Sequence, residues 1–351
     1  MYRTLIRCKL DYGSIVYNSA QKSTLKQLDI IHNAALRIAL GAFCTSPIDS
    51  LNCESGEPSL ADRRKYLTLS YASKISAYPN NPVHRHVFAK RFQETFNHRK
   101  QISLPFYERV NRILGELNLT LPETINPTEI ITPPPWTIHI PSTILDLSHL
   151  KKSENHPLLL KKLFLETIKK FEKFQCIYTN ASHSESGVGA AYTTIESFAK
   201  FQLPPFTTIF TAELIAICEA LRHLNTKPTS NWIIVSDSLS AIQSLSQLYP
   251  THPSLIEIKS ELQISQKKNS NVQFLWCPSH IGIEGNEKAD RLAREAASGD
   301  GSTYQITKSI HQDIKPALKK NLTLHWQQKW DTSNSKLFRV KPFVSPWKII
   351  P

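Results

Sequence analysis

A five-stranded mixed sheet flanked by helices, preceded by a mainly α-helical region, is the α/β fold class that this 351-residue sequence predicts. Three observations carry it. Trp232–Ser236 (Trp-Ile-Ile-Val-Ser) is an unbroken apolar run of the kind buried on both faces of a parallel sheet. Around it, short strand-like segments alternate with stretches of helical period. Ahead of residue 119 only the helical period is found, and a proline-dense stretch separates the two regimes.

Taken in order, Ser23–Gly41 opens on a capping serine, spaces Leu25, Leu28, Ile31, Ala35 and Ile38 along one helical face, and stops at a glycine. A second helix follows Glu57-Pro58-Ser59, with Leu60, Leu67, Tyr71 and Ile75 expected inward and Arg63, Arg64 and Lys65 outward. Pro122, Pro127, Pro133, Pro134, Pro135 and Pro141 exclude regular helix and predict an extended tether. Residues 143–172 read as a Leu- and Lys-rich connector, part helical. Strands are then expected at Cys176–Thr179, Gly187–Thr194, Ser197–Leu203, Trp232–Ser236 and Val272–Trp276. Helices are expected at Thr211–Leu224, Leu239–Leu248, Ser254–Gln266 and Glu284–Ala297, giving an order close to βββαβααβα. The expected division is a helical region over 1–118, a Pro-rich linker and connector over 119–172, an α/β domain over 173–300, and a basic tail over 301–351 containing Trp326, Trp330 and Trp347.

Composition bounds the function. With 40% apolar residues the chain carries more than a solvated, disordered chain does. The formal charge of +13 points to a polyanionic partner. Its distribution is more telling: residues 1–120 hold 17 Lys+Arg against 9 Asp+Glu and residues 301–351 hold 9 against 2, whereas 171–300 hold 10 against 13. Basic flanks that grip phosphates around a carboxylate-rich centre would have this profile. No stretch approaches the ~20 apolar residues of a membrane span, no secretory signal opens the chain, and the six cysteines form no CxxC pair. These observations predict reduced thiols and an intracellular location, nuclear or cytoplasmic, with no membrane and no small-molecule substrate. The single Met opens a segment that reads as mid-domain, so the reading frame is expected to begin upstream.

The chemistry lies in four stations that a mixed sheet can gather at one edge. Asn180 ends the first strand, Glu213 lies in the first turn of the following helix, Asp237 ends the fourth strand, and Asp290 is inside the last helix. Grouped carboxylates repel one another unless a hard divalent cation neutralises them. Two such ions about 4 Å apart can align an attacking water and stabilise the leaving oxygen of a phosphodiester.

The motifs Tyr-Thr-Asn-Ala-Ser (178–182) with Gly-Val-Gly-Ala (187–190), Thr-Ala-Glu-Leu-Ile-Ala-Ile (211–217), Val-Ser-Asp-Ser-Leu-Ser-Ala-Ile (235–242) and Trp-Cys-Pro-Ser-His-Ile-Gly-Ile-Glu-Gly-Asn-Glu-Lys-Ala-Asp-Arg-Leu-Ala (276–293) resemble type 1 ribonuclease H. The form resembled is the one attached to non-LTR, jockey-like retrotransposon reverse transcriptases, and the likeness covers about residues 173–298. It implies a ribonuclease H-like fold and endonucleolytic cleavage of the RNA strand of an RNA–DNA hybrid, with two Mg²⁺ ions that Mn²⁺ could replace. Carried over position by position, it makes Asn180, Glu213, Asp237 and Asp290 the metal stations. It makes Glu213, Asp237, His280 and Asp290 catalytic, with His280 assisting proton transfer or product departure, and places Ser182 and Asn286 near the nucleic-acid backbone. Leu5–Tyr17 and Leu28–Phe43 resemble more distantly the thumb region of such a reverse transcriptase. No Tyr/Phe-x-Asp-Asp polymerase motif occurs, so the missing polymerase part of the element is an expected partner.

Asn180 departs from the family pattern, which has an aspartate there. An amide offers one neutral oxygen and cannot bridge two cations. Glu185, the nearest acid, lies beyond the strand. Ala181 also stands where the family has glycine. Hydrolysis is therefore expected to be impaired, and the rival reading is a catalytically inactive nucleic-acid-binding module.

Overall fold

The computed structural model describes residues 1–89, 94, 103–130, 133–138, 140–150, 152–184, 187–299 and 304–346. Two compact units emerge, Met1–Leu121 with Ile314–Pro351, and Pro122–Asp313. Glu185 and Trp347 lie outside the described residues.

The first unit is helical. Its helices include α1 (Lys22–Leu40), α2 (Ile48–Ser55), α3 (Leu60–Ser76) and α4 (Phe106–Glu116). Ser59 caps α3 as its position predicts, accepting from the Asp62 amide at 3.1 Å. The inward faces differ from the apolar pattern. On α1 the buried residues are His32, Asn33 and Leu36, whereas Ile31 and Ile38 are exposed. Two polar residues can be buried there because His32 hydrogen-bonds the Tyr2 hydroxyl at 2.5 Å and Asn52 at 3.4 Å. The basic run on α3 does not face solvent as a free stripe. Arg63 pairs with Asp11 at 2.7 Å, Arg64 with Asp29 at 3.6 Å, and Lys65 with Glu116 at 2.5 Å. Leu69, Ala72, Val110, Ile113, Ile314 and Leu318 form one core. Trp330, read from sequence as part of a tail, is buried with Cys53 and Val344, its indole N–H donating to the Lys341 carbonyl at 2.9 Å.

The second unit holds a seven-stranded sheet in the order β1-β6-β5-β2-β3-β4-β7. The five expected strands are β2 (Gln175–His183), β3 (Val188–Thr193), β4 (Phe198–Leu203), β5 (Asn231–Ser236) and β6 (Asn271–Trp276). β1 (Ser142–Ile144) and β7 (Tyr304–Gln305) extend the sheet beyond the five strands expected. β6, β5 and β2 run parallel, and β2, β3 and β4 form antiparallel hairpins, as a ribonuclease H-like mixed sheet does. The helices of this unit are α5 (Pro157–Lys169), α6 (Ile209–Thr226), α7 (Leu239–Ser244), α8 (Pro253–Lys267) and α9 (Glu284–Ser298). A last helix, α10 (His311–Asp331), begins here. No helix among the described residues is long and apolar enough to cross a membrane.

Residues 122–172 are part of this unit rather than a free tether. β1 pairs in parallel with β6, and Leu147, Leu160 and Phe164 bury against Ile233, Val235, Leu275, Ile281 and Ile283. Prolines exclude helix but permit an edge strand, and the Leu-rich connector supplies a helix face that covers one side of the sheet. Phe164 is 1% exposed in that cluster. Phe164→Ala is expected to lower the unfolding free energy by about 3–5 kcal/mol, read from the denaturant midpoint. A loss below about 1 kcal/mol would show that α5 is not part of this core.

Candidate active site

The register of two neighbouring parallel strands builds the centre. The last β2–β5 pair is Thr179↔Ser236, so Asn180 and Asp237 follow it side by side, Asp237 at the end of β5 and Asn180 within β2, which runs on to His183 paired with β3 rather than ending at Asn180 as expected. Their side chains meet, with the Asn180 amide donating to Asp237 Oδ2 at 3.3 Å. The Trp276 indole N–H fixes the Asp237 backbone carbonyl at 2.9 Å, and the amide of Ser238 is held by Ser236 Oγ at 3.1 Å.

Glu213 comes from α6, whose N-terminus is capped by Thr208 and whose buried residues include Leu214, Ile217, Cys218 and Leu221. Burying that face carries Glu213 inward, where it is 5% exposed. One of its oxygens, Oε2, is buried without a hydrogen-bond partner among the described residues. Burial first, and then the charge of Asp237, raises the Glu213 pKa well above the usual carboxylate range, while a backbone hydrogen bond from Ala181 opposes the shift. Burial likewise pushes Asp237 up, opposed by a hydrogen bond from Asn286.

The last station, Asp290, comes from α9, with Asn286 one turn before it on the same face. Asn286 is buried and donates to Asp237 Oδ2 at 3.2 Å. Asp290 receives Arg294 Nε at 3.2 Å and stands 3.9 Å from His280 Nδ1. Two glycines allow α9 to lie this close. A Cβ at Gly285 would overlap the Tyr178 ring, and one at Gly189 would overlap the Ala293 carbonyl.

Asn180, Glu213, Asp237, His280 and Asp290 thus line one cavity of about 310 Å³, together with Ala181, Ser238, Ser240 and Ser279. Ser182 is outside that lining, two residues along β2 on the same strand face as Asn180. Asn286, expected beside the nucleic-acid backbone, gives its amide to Asp237. Ala181 sits in regular strand opposite Ala190, outside the positive-φ residues, so the loss of glycine there is accommodated. Two features were missed in the sequence. Glu287 places a ligand atom within 4.8 Å of His280 and Asp290; its three-residue spacing from Asp290 was the available signal. Lys152, far away in sequence and with no motif around it, hydrogen-bonds Ser279 at the cavity rim.

A carboxylate-rich donor set with an orphaned buried Glu213 oxygen suits a hard divalent cation. Glu213 and Asp237, near enough for their charges to interact, are the carboxylates that would hold it. The fit fails at bridging, because Asn180 turns an amide nitrogen rather than a second carboxylate towards Asp237.

Comparison with known proteins agrees with this geometry. The RNase H family model matches residues 172–298, the segment that supplies every residue of the cavity. Ribonuclease H1 from Mus musculus and from Rattus norvegicus is each 27% identical over 107 residues, covering 27% of this chain and 38% of theirs. Ribonuclease H1 from Homo sapiens is 28% identical over 107 residues, covering 27% of this chain and 37% of its own. The chain therefore spans well under half the length of these relatives.

Proposed function

We propose that this chain binds RNA–DNA hybrids through an RNase H domain whose hydrolysis of the RNA strand is strongly reduced by Asn180. The observation that carries the reading is the Asn180–Asp237 hydrogen bond. Beside the three carboxylates of the cavity, Glu213, Asp237 and Asp290, an amide takes up the Asp237 oxygen that a shared cation would bind. Glu213, Asp237 and Asp290 are the residues that would hold divalent ions, Mg²⁺ or Mn²⁺. Such ions, when bound, supply an activated water and offset charge on the leaving oxygen.

The chain's own residues do the rest. Glu213 and Asp237 hold the centre of charge, kept in place by Ala181 N–H and by the Asn286 amide. His280, two-thirds exposed at the rim and 3.9 Å from Asp290, is the group that handles the proton of the departing oxygen. Ser182 lies on the adjoining strand surface, where a sugar–phosphate backbone would run. Recognition of a hybrid rests on phosphates and 2′-hydroxyls with little base reading.

The helical unit is assigned to a reverse-transcriptase thumb remnant of a retrotransposon on the sequence resemblance alone, with a polymerase as its partner. Fluorescence anisotropy with labelled duplexes tests the binding half of the reading. The wild-type chain is expected to bind an RNA–DNA hybrid more tightly than the same DNA duplex, with affinity falling as salt rises. Equal affinity for both duplexes would overturn it.

A further inference from the structure

The loop that carries His280 is held in an uncommon conformation. His280 has φ +54° and Gly282 φ +81°, two left-handed residues within three positions, and the first is not a glycine. A non-glycine residue there is strained by about 1–3 kcal/mol and persists only when its surroundings over-determine it. The imidazole does not hold itself, being two-thirds exposed with its nearest carboxylate 3.9 Å away. The backbone therefore decides where the ring goes.

Within the matched segment 172–298 the Gly282 N–H donates to Glu287 Oε1 at 3.2 Å, and further restraints come from outside it. Below the loop, Ile281 and Ile283 are buried against Leu147, Leu160 and Phe164. Above it, the Lys152 ammonium donates to the carbonyl of Ser279 and, at 2.6 Å, to its hydroxyl. Lys161 stands beside Gly282, its ammonium 3.4 Å from where a Cβ would be. The segment between β1 and α5 therefore clamps the residue immediately before His280.

We infer that Lys152 is a positioning residue for His280, fixing the strained 279–282 loop through the backbone of Ser279 so that the imidazole faces Asp290. This rests on the functional reading above. It also separates Lys152 from a lysine that simply attracts phosphate, because two of its donors are spent on the protein. The charge of Lys152 is also close enough to be felt by Asp237.

Hydrogen exchange on the full-length chain tests the clamp without requiring activity. Lys152→Ala and Lys152→Gln are expected to speed exchange of the His280–Ile283 amides by about 10-fold while β5 amides are unchanged. Lys152→Arg retains much of the protection. A second measurement uses the Asn180→Asp background. There Lys152→Ala is expected to lower kcat by about 10-fold with hybrid affinity within about 2-fold, and to add nothing once His280 is already alanine. Unchanged loop exchange, or a loss that lies in salt-dependent affinity and adds to that of His280→Ala, would overturn the assignment. An inactive Asn180→Asp chain would instead count against the functional reading, leaving the exchange result to decide on Lys152.

Discussion

Asn180→Asp is expected to raise Mg²⁺-dependent cleavage of an RNA–DNA hybrid by at least about 100-fold over the wild-type chain. The strands and helices need no rearrangement for this gain, and the one side chain that must move is Arg294, which donates to both oxygens of Asp290. Asn180 is in register beside Asp237, the Glu213 carboxylate is turned inward with a free buried oxygen, and Asp290 lines the same cavity. The substitution exchanges one atom, replacing a hydrogen-bond donor facing Asp237 Oδ2 with an anionic oxygen. That exchange has a second, independent signature. Without a cation, two carboxylates about 3.3 Å apart repel, so the variant is expected to melt below wild type in chelator and to recover on adding Mg²⁺. Wild type, which already satisfies Asp237 with an amide, should respond less. A wild-type chain that cuts the hybrid at the rate of the variant would remove Asn180 from the explanation. A variant that gains Mg²⁺ stabilisation without cleavage would leave the metal site intact and move the defect to substrate placement.

The strand ends and the last helix of this site were legible in the sequence for a physical reason. A run such as Trp-Ile-Ile-Val-Ser suits a strand buried on both faces, as in a parallel sheet, and its successor, Asp237, then leaves at the strand end. The Gly-Asn-Glu-Lys-Ala-Asp stretch fixed both the period and the face of α9. What escaped the sequence was contributed by segments without pattern. β1 and β7 are three and two residues long, too short to show alternation. The proline-rich approach to α5 resembles a tether because proline reports what a segment cannot be, not what it packs against. Lys152 reaches Ser279 across 127 positions, a contact that no local rule encodes. The inward face of α1 was misread for the opposite reason. Its apolar stripe was clear, but His32 found polar partners and took the buried side with Asn33, leaving Ile31 and Ile38 in solvent.

Glu213→Gln is expected to act in opposite directions on stability and on catalysis. Burial and the neighbouring Asp237 raise the folded-state pKa of Glu213 well above that of an unfolded glutamate, about 4.3. The folded state therefore binds the proton more tightly. The stability that Glu213 contributes is fully present below the unfolded pKa and is lost as pH rises through the raised folded value. At neutral pH, in chelator, wild type thus carries a buried carboxyl group with one oxygen unpaired among the described residues. Glutamine keeps the shape and the acceptor that takes the Ala181 N–H while removing the charge, so the variant is expected to be more stable by about 1–3 kcal/mol. Its stability should also fall less between acid and neutral pH. The same substitution in the Asn180→Asp chain is expected to return hybrid cleavage to the wild-type level, a loss of at least about 100-fold, and to abolish stabilisation by Mg²⁺. Thermal melts at several pH values, with chelator and with Mg²⁺, read both effects. A destabilised Glu213→Gln chain at neutral pH in chelator would mean that Glu213 is held by a partner that offsets its burial, and its place at the centre of an ion-binding cavity would then fail.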